Sequence, residues 1–398
     1  MENLKNKISS LAKKYFQEAI EIRRHLHAHP ELSYEEYETA EFIKEKLSSW
    51  AIPHQTMAKT GVIGLIEGRN PSSRIIALRA DIDALPIMEE NEIEYKSTKP
   101  GVMHACGHDV HTTCLLIAAK ILNELKLEWD GTVKLIFQPG EEKNPGGASL
   151  LIKEGVLKNP APSCIVGMHV HPQMAVGNIS FRAGQNMASA DEIYITVKSG
   201  GGHAAAPHFT TDTILVASHI VVGLQQVISR NNDPFSPSVL SVSAINGGFT
   251  TNVIPREVKM MGTFRAMDET WRFKAHELIK KITLGIAESM GAEAEINIDV
   301  GYPSVFNHEE LNAIVVELAG KYHDPEKILE TERRMGAEDF GYYSKEIPGC
   351  FFRLGTRNEN SGITAGVHTP VFNIDETAIE TGIGMMAFFG AVLNFREN

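Results

Sequence analysis

The chain has 398 residues, 43% of them hydrophobic and 22% charged, with a formal net charge of -12. That length exceeds one compact core and predicts two domains, and the composition is that of a soluble globular protein. The acidic balance, with no long Lys/Arg cluster, argues against nucleic acid as a partner, because phosphate binding needs basic patches.

The first residues carry charges throughout and no apolar signal segment. Leu4, Ile8, Leu11, Tyr15, Ala19, Ile22 and Leu26 recur at helical spacing and predict one amphipathic helix. It should end near His29-Pro30, since a residue before proline avoids the helical region. His25, His27 and His29 read as ordinary, partly exposed residues of that helix end. Ser33 and Glu36 form a capping-box pattern for a second helix through Leu47. β-type runs follow at Gly61–Ile66 and Arg74–Arg79, the second apolar enough for a buried central strand. It leads into Asp81-Ile82-Asp83, which can act as a turn or orient metal ligands.

Met103-His104-Ala105-Cys106-Gly107-His108-Asp109-Val110-His111 concentrates a thiol and imidazoles, ligands suited to zinc and its neighbours. Four cysteines, Cys106, Cys114, Cys164 and Cys350, do not make a disulfide framework in this length. A cytoplasmic, reducing location is expected. A helix from Val110 to about Leu127 follows, with Cys114 on its buried face. Of His108 and His111, which can share one side of the first turn, His108 is favoured as the ligand because it sits closest to the turn. The strand Thr132–Phe137 runs into Gln138-Pro139-Gly140-Glu141-Glu142, and Gly146-Gly147 leads into a helix through about Lys153. The strand Cys164–Met168 ends in His169-Val170-His171-Pro172. Buried strands that alternate with helices predict a mostly parallel, helix-flanked α/β sheet, with polar groups gathered at its strand ends.

From about Ala183 the pattern changes. Strands near 192–198, 238–246, 257–266 and 294–300, with helices near 212–229 and 269–290, give the order β-α-β-β-α-β. Residues 186–297 are expected to form an inserted α+β domain, and 1–185 with 298–398 the catalytic domain. The remainder carries a helix near Leu311–Tyr322, the segment Met335–Phe340, a strand Cys350–Gly355, Gly366-Val367-His368-Thr369-Pro370 and a closing helix from about Glu376 to Leu393. His276 and His323 read as surface residues. No stretch reads as long and apolar enough to cross a bilayer.

The strand-end candidates are Cys106, His108, Glu142, His169 and His368. Two ions ~3.5–4 Å apart need a bridging group and a few ligands each. Five side chains, one of them bridging, meet that need, whereas a single zinc leaves some unused. Of the adjacent Glu141 and Glu142, one can bind metal while the other takes a proton from water acidified by the ions.

His104–Asp109, Gln138–Glu142, Gly167–Pro172, Gly202-His203-Ala204-Ala205-Ala206-Pro207-His208, Thr251–Pro255 and Val367–Pro370 together resemble the M20 metallopeptidases. The closer resemblance is to the amidohydrolase branch with hippurate hydrolases, N-acyl-amino-acid amidohydrolases and auxin-conjugate hydrolases. Arg23-Arg24-His25-Leu26-His27-Ala28-His29-Pro30-Glu31-Leu32-Ser33 is similar too, so the likeness covers nearly the whole chain. It implies cleavage of the amide of an N-acyl amino acid with two divalent ions per subunit, the metal being zinc, manganese, nickel or cobalt. It implies Cys106, His108, Glu142, His169 and His368 as ligands and Glu141 as general base and acid. Asp83 is implied to orient a ligand, although Asp81-Ile82-Asp83 stands where the wider clan has His-x-Asp, a departure the amidohydrolase branch shares; His104 and His111 become structural or orienting candidates. The inserted domain is implied to be a lid and dimerisation element of a homo-oligomer. His203 there would stabilise the oxyanion, from its own or a neighbouring subunit, and Asn252 and Arg265 would hold the substrate carboxylate. A carboxypeptidase or dipeptidase on the same scaffold, and a non-catalytic binder of metal or a small acid, are the competing readings.

Overall fold

The computed structural model describes residues 1–395. Its contacts divide the chain into two compact units: Met1–Gly184 with Phe306–Glu332 and the chain from Tyr342 on, and Gln185–Val305 with Arg333–Gly341. Arg333–Gly341 belongs to the second unit rather than the first, joined there by hydrogen bonds between Asn186, Ala188 and Arg334.

The first unit is built on an eight-stranded sheet. In spatial order its strands are His54–Met57, Gly61–Glu67, Thr132–Gln138, Ile75–Asp81, Cys164–Ala175, Gly349–Arg357, Ile179–Phe181 and Ile328–Glu330. The four central strands are mutually parallel, and antiparallel pairs lie toward the edges. Thr132–Gln138 is buried along its whole length, as a run of β-branched and apolar residues between two helical layers should be. The helix His108–Glu124 packs on this sheet and against the helices Phe16–Ala28 and Ala378–Val392. It is covered nearly all round: apart from Lys120, Asn123 and Glu124 its residues are buried, apolar in the later turns and polar in the first, where His108, Asp109 and His111 face polar partners. It starts from Gly107, at φ 88°, where a Cβ would stand 2.6 Å from Val170 Cγ2. Only glycine meets both demands, and the turn sends Cys106 and His108 toward the same end of the sheet.

The second unit is an antiparallel sheet in the order Ser238–Asn246, Glu257–Ala266, Asp191–Lys198, Glu293–Val300, with the helices Thr213–Gln226 and Glu269–Ser289 packed on it. The expected β-α-β-β-α-β order is present. Ile193, Ile195 and Val197 alternate inward to meet Val216, Ile220 and Ile279 in a separate core.

Several expectations need correction. The N-terminal helix is two, Glu2–Lys14 and Phe16–Ala28, broken at Tyr15, whose hydroxyl is drawn to Glu124. The strand ending in His169 and His171 instead continues to Ala175. Pro172 is tolerated because pairing with Ile75–Asp81 stops at Gly167. His27 is fully buried between Asp109 and Glu89. His276 is buried too, 2.8 Å from Asp191. The stretch Thr213–Asn231 is long and apolar enough to cross a membrane by composition. Here Val216, Ala217, Ile220 and Leu224 give it one face in the second core.

Asp191 gathers Arg272 at 2.9 Å, His276 and the Gly301 N–H inside the second unit. Burial pushes its pKa up, and His276 and Arg272 more than reverse that. Asp191→Ala strips the buried Arg272 guanidinium of one of its two carboxylate partners, leaving Glu269 at 3.0 Å, so urea denaturation should show a loss of about 3 kcal/mol, the lower end for a broken buried pair. With the carboxyl held below its ordinary value, this contribution is present above the unfolded pKa, near ~4, and is lost as pH falls through the lower folded value.

Candidate active site

The end of the first unit's sheet collects the predicted donors. Cys106 lies in the turn before Gly107, and His108 opens the helix. Glu141 and Glu142 follow the strand Thr132–Gln138, and His169 stands within Cys164–Ala175. His368 sits on a loop at φ 61°, its N–H bound to the Ala105 carbonyl at 2.7 Å, which ties that loop to the Cys106 segment. Cys106, His108 and His169 form one cluster of donor atoms within 4.8 Å of one another, and Cys106, Glu142 and His368 form another. Cys106 is common to both. Its Sγ is 3.4 Å from His169 Nε2, and Glu142 Oε1 is 3.1 Å from His368 Nε2. His108 Nε2 stands 4.0 Å from Glu141 Oε2 and 4.0 Å from Glu142 Oε1.

Tautomers are set from behind. Asp83 Oδ1 is 3.1 Å from His108 Nδ1, and its Oδ2 accepts the Glu142 N–H at 2.9 Å. His169 directs Nδ1 to the Val170 carbonyl at 2.8 Å. In both rings the Nε2 lone pair is left for the site. His111 is engaged at both nitrogens, with Nδ1 2.6 Å from Asp81 and Nε2 accepting the Val170 N–H at 2.9 Å. It therefore has no lone pair to offer. His104 is buried, and desolvation lowers its pKa to about 4, so it is neutral.

These donors fit a pair of divalent cations. His108 Nε2 and Glu142 Oε1 are buried and make no hydrogen bond, although other polar atoms lie within 4 Å. Lone pairs that converge without a hydrogen bond between them suit a common electrophile. The electrostatics agree. Burial lowers the His108 pKa, but Asp81, Asp83 and Glu142 outweigh it and hold it at about 10. Burial and the charges of Glu142, Glu141 and Asp81 push the Cys106 thiol well up. Without cations the pocket takes up protons instead. Asp83→Asn spoils the His108 tautomer and should lower metal affinity about 10–100-fold, read by competition with a chromogenic chelator.

His203 and Asn252 lie in the second unit. His203 ends a short strand, Gly202–His203, paired with Val253–Ile254, and the Ala204 N–H donates to the Asn252 carbonyl at 3.0 Å, so the two residues are neighbours. His203 Nδ1 accepts the Ala205 N–H at 3.1 Å, which makes its Nε2 the protonated, donating nitrogen. Arg265 lies near the far end of Glu257–Ala266, its Nε on Thr263 at 3.1 Å. From Glu257 to Arg265 at ~3.3 Å per residue is roughly 26 Å, so this unit does not bring Arg265 to His203 and Asn252.

Sequence reasoning missed the support behind the donors. Ser33 Oγ donates to Asp83 at 2.6 Å and Glu36 binds the Gly140 N–H at 2.7 Å, where a capping box was expected. Arg23 and His27 share buried Asp109, just after His108, at 2.9 and 2.8 Å. A charged run at helical spacing was the only local signal of that network.

The model of peptidase family M20/M25/M40 matches residues 77–389. An N-acetyl-L-cysteine deacetylase of Bacillus subtilis is 40% identical over 91% of this chain and 85% of its own. Thermostable carboxypeptidase 2 of Saccharolobus solfataricus is 37% identical, covering 96% of this chain and 96% of its own. Among solved structures, a dinuclear metal binding peptidase of the M20 family from Bacillus subtilis superposes with a TM-score of 0.82 at 35% identity, over 95% of this chain and 98% of that one. The chain belongs to peptidase family M20/M25/M40 and is a hydrolase of the amidohydrolase or peptidase type.

Proposed function

We propose that the protein hydrolyses the amide bond of N-acyl amino acids, releasing a carboxylic acid and the free amino acid. The observation that carries this reading is the pair of donor clusters sharing Cys106, with Glu141 beside them. Cys106, His108 and His169 would hold one divalent ion, and Cys106, Glu142 and His368 a second. Zinc, manganese, nickel and cobalt all suit such donors. When bound, the ions supply Lewis acidity, which polarises the scissile carbonyl and acidifies water. Glu141 accepts a proton from the attacking water on its carboxylate and returns it to the departing amine nitrogen. His203, protonated at Nε2, donates to the oxygen on which negative charge develops. Asn252 and Arg265 hold the substrate α-carboxylate, the guanidinium by its bidentate fork.

The second unit acts as lid and assembly element in this reading. With Arg265 roughly 26 Å from the His203 end of its own strand, the two groups serve one substrate only if a second copy supplies one of them. The protein then works as a homo-oligomer. Mixing His203→Ala with Glu141→Ala chains, each inactive alone, should restore turnover, and a mixture that stays inactive contradicts the shared site. A reducing cytoplasm suits the Cys106 thiolate, the described cysteines all being free.

Carboxypeptidase or dipeptidase action on the same scaffold is the second reading, favoured by the carboxypeptidase among the relatives. Relative kcat/KM separates the two: N-acetyl and N-benzoyl amino acids should exceed unblocked dipeptides and longer peptides, and the reverse order overturns the proposal. Loss of chemistry with retained binding is disfavoured, because Glu141 stands intact beside intact donors.

A further inference from the structure

Ser33–Glu36 precedes the helix Tyr37–Ser49, and it reaches across the fold to the loop that carries Glu141 and Glu142. Tyr34, at φ 68°, donates its hydroxyl to the Lys143 carbonyl at 2.6 Å and accepts the Gly146 N–H at 3.0 Å. Its ring lies against Gly140, where a Cβ would stand 2.2 Å from Tyr34 Cε1, and Gly140 itself is at φ 58°. Glu36 is fully buried. One carboxylate oxygen accepts the Gly140 N–H at 2.7 Å and the other the Thr60 hydroxyl at 2.7 Å.

The ordinary role for Glu36 would be to cap its own helix. It makes no such bond. Glu31 serves that turn instead, accepting from the Thr39 N–H at 2.8 Å. A carboxylate kept in a buried position, where desolvation and the charge of Asp83 push its pKa up to about 7, is held there against its solvation preference.

We infer that Glu36, together with Tyr34, is a positioning residue for Glu141. Glu36 pins the Pro139–Gly140 peptide, one residue before Glu141, and Tyr34 pins the far side of the loop. Between them the direction of the Glu141 carboxylate is fixed without either residue touching substrate. The inference rests on Glu141 being the base.

Glu36→Met removes the acceptor at similar length, and misplacing the base by about 1 Å should lower kcat about 10- to 100-fold with KM within about threefold. Glu36→Gln keeps an oxygen for the Gly140 N–H and should recover kcat to within about fivefold of wild type. Tyr34→Phe keeps the ring, loses only the hydroxyl, and should lower kcat about fivefold. Independently of turnover, amide exchange across residues 139–147 in the metal-free protein should quicken about tenfold in Glu36→Met and Tyr34→Phe, with the global melting temperature held. Kinetics and exchange unchanged in Glu36→Met, or Glu36→Gln as impaired as Glu36→Met, overturns the inference. Should Glu36→Met fail to fold, unchanged kcat and exchange in Tyr34→Phe overturns it alone. Glu141→Ala is measured alongside: if it retains turnover the base assignment fails, and if it alone loses turnover only the positioning inference fails.

Discussion

Replacing Glu141 with alanine should lower kcat about 10³-fold, leaving the fold and metal content intact. The size follows from the double duty proposed for this side chain. General acid–base assistance contributes ~10²–10⁴ to a rate, and here the same oxygen would take the proton from water and hand it to the leaving nitrogen. Glu141 is buried, and its Oε2 lies 4.0 Å from His108 Nε2, which puts it beside the donors. KM should change little, because the lost interaction belongs to the transition state. Steady-state kinetics with metal analysis of the same sample checks both halves. Turnover that survives the substitution removes Glu141 from the chemistry.

Cys106→Ala should eliminate activity and leave neither ion bound stoichiometrically, since Cys106 is the donor common to both clusters. Metal binding should also be steeply pH-dependent. In the metal-free protein His108 is held protonated up to about 10 and the Cys106 thiol well above its ordinary value. Both groups must lose a proton to bind. The sign follows: protons compete with metal across the neutral range, so affinity rises with pH. Each displaced proton contributes about a factor of ten per pH unit, and the slope flattens once pH passes the His108 value. Calorimetry in buffers of different ionisation enthalpy should find protons released on metal uptake, and an enthalpy independent of buffer contradicts this.

The elements legible in sequence are those whose signal is local. Ile75–Asp81 and Thr132–Gln138 are apolar runs flanked by turns, and Asp191–Lys198 alternates with period two. Ligand-rich turns at strand ends were legible for the same reason, because an α/β sheet presents its site there. What could not be read was set by partners far along the chain. Ser33 and Glu36 match a capping box within four residues, yet Asp83 and Gly140 claim their side chains. His27 and His276 carry no periodicity that marks burial, and Asp109 and Asp191, each more than eighty residues away, make their burial tolerable. Thr213–Asn231 shows the converse: its composition suits a bilayer, and a sheet of its own unit takes up one face instead.

The most direct test of the account is release of free amino acid from N-acetyl- and N-benzoyl-amino acids by the metal-loaded protein, before and after chelation. Equimolar amine and carboxylate are expected, with loss of turnover when the ions are stripped and recovery when a divalent ion is returned. Absence of release from every such substrate, or turnover indifferent to chelation, would contradict the proposed function.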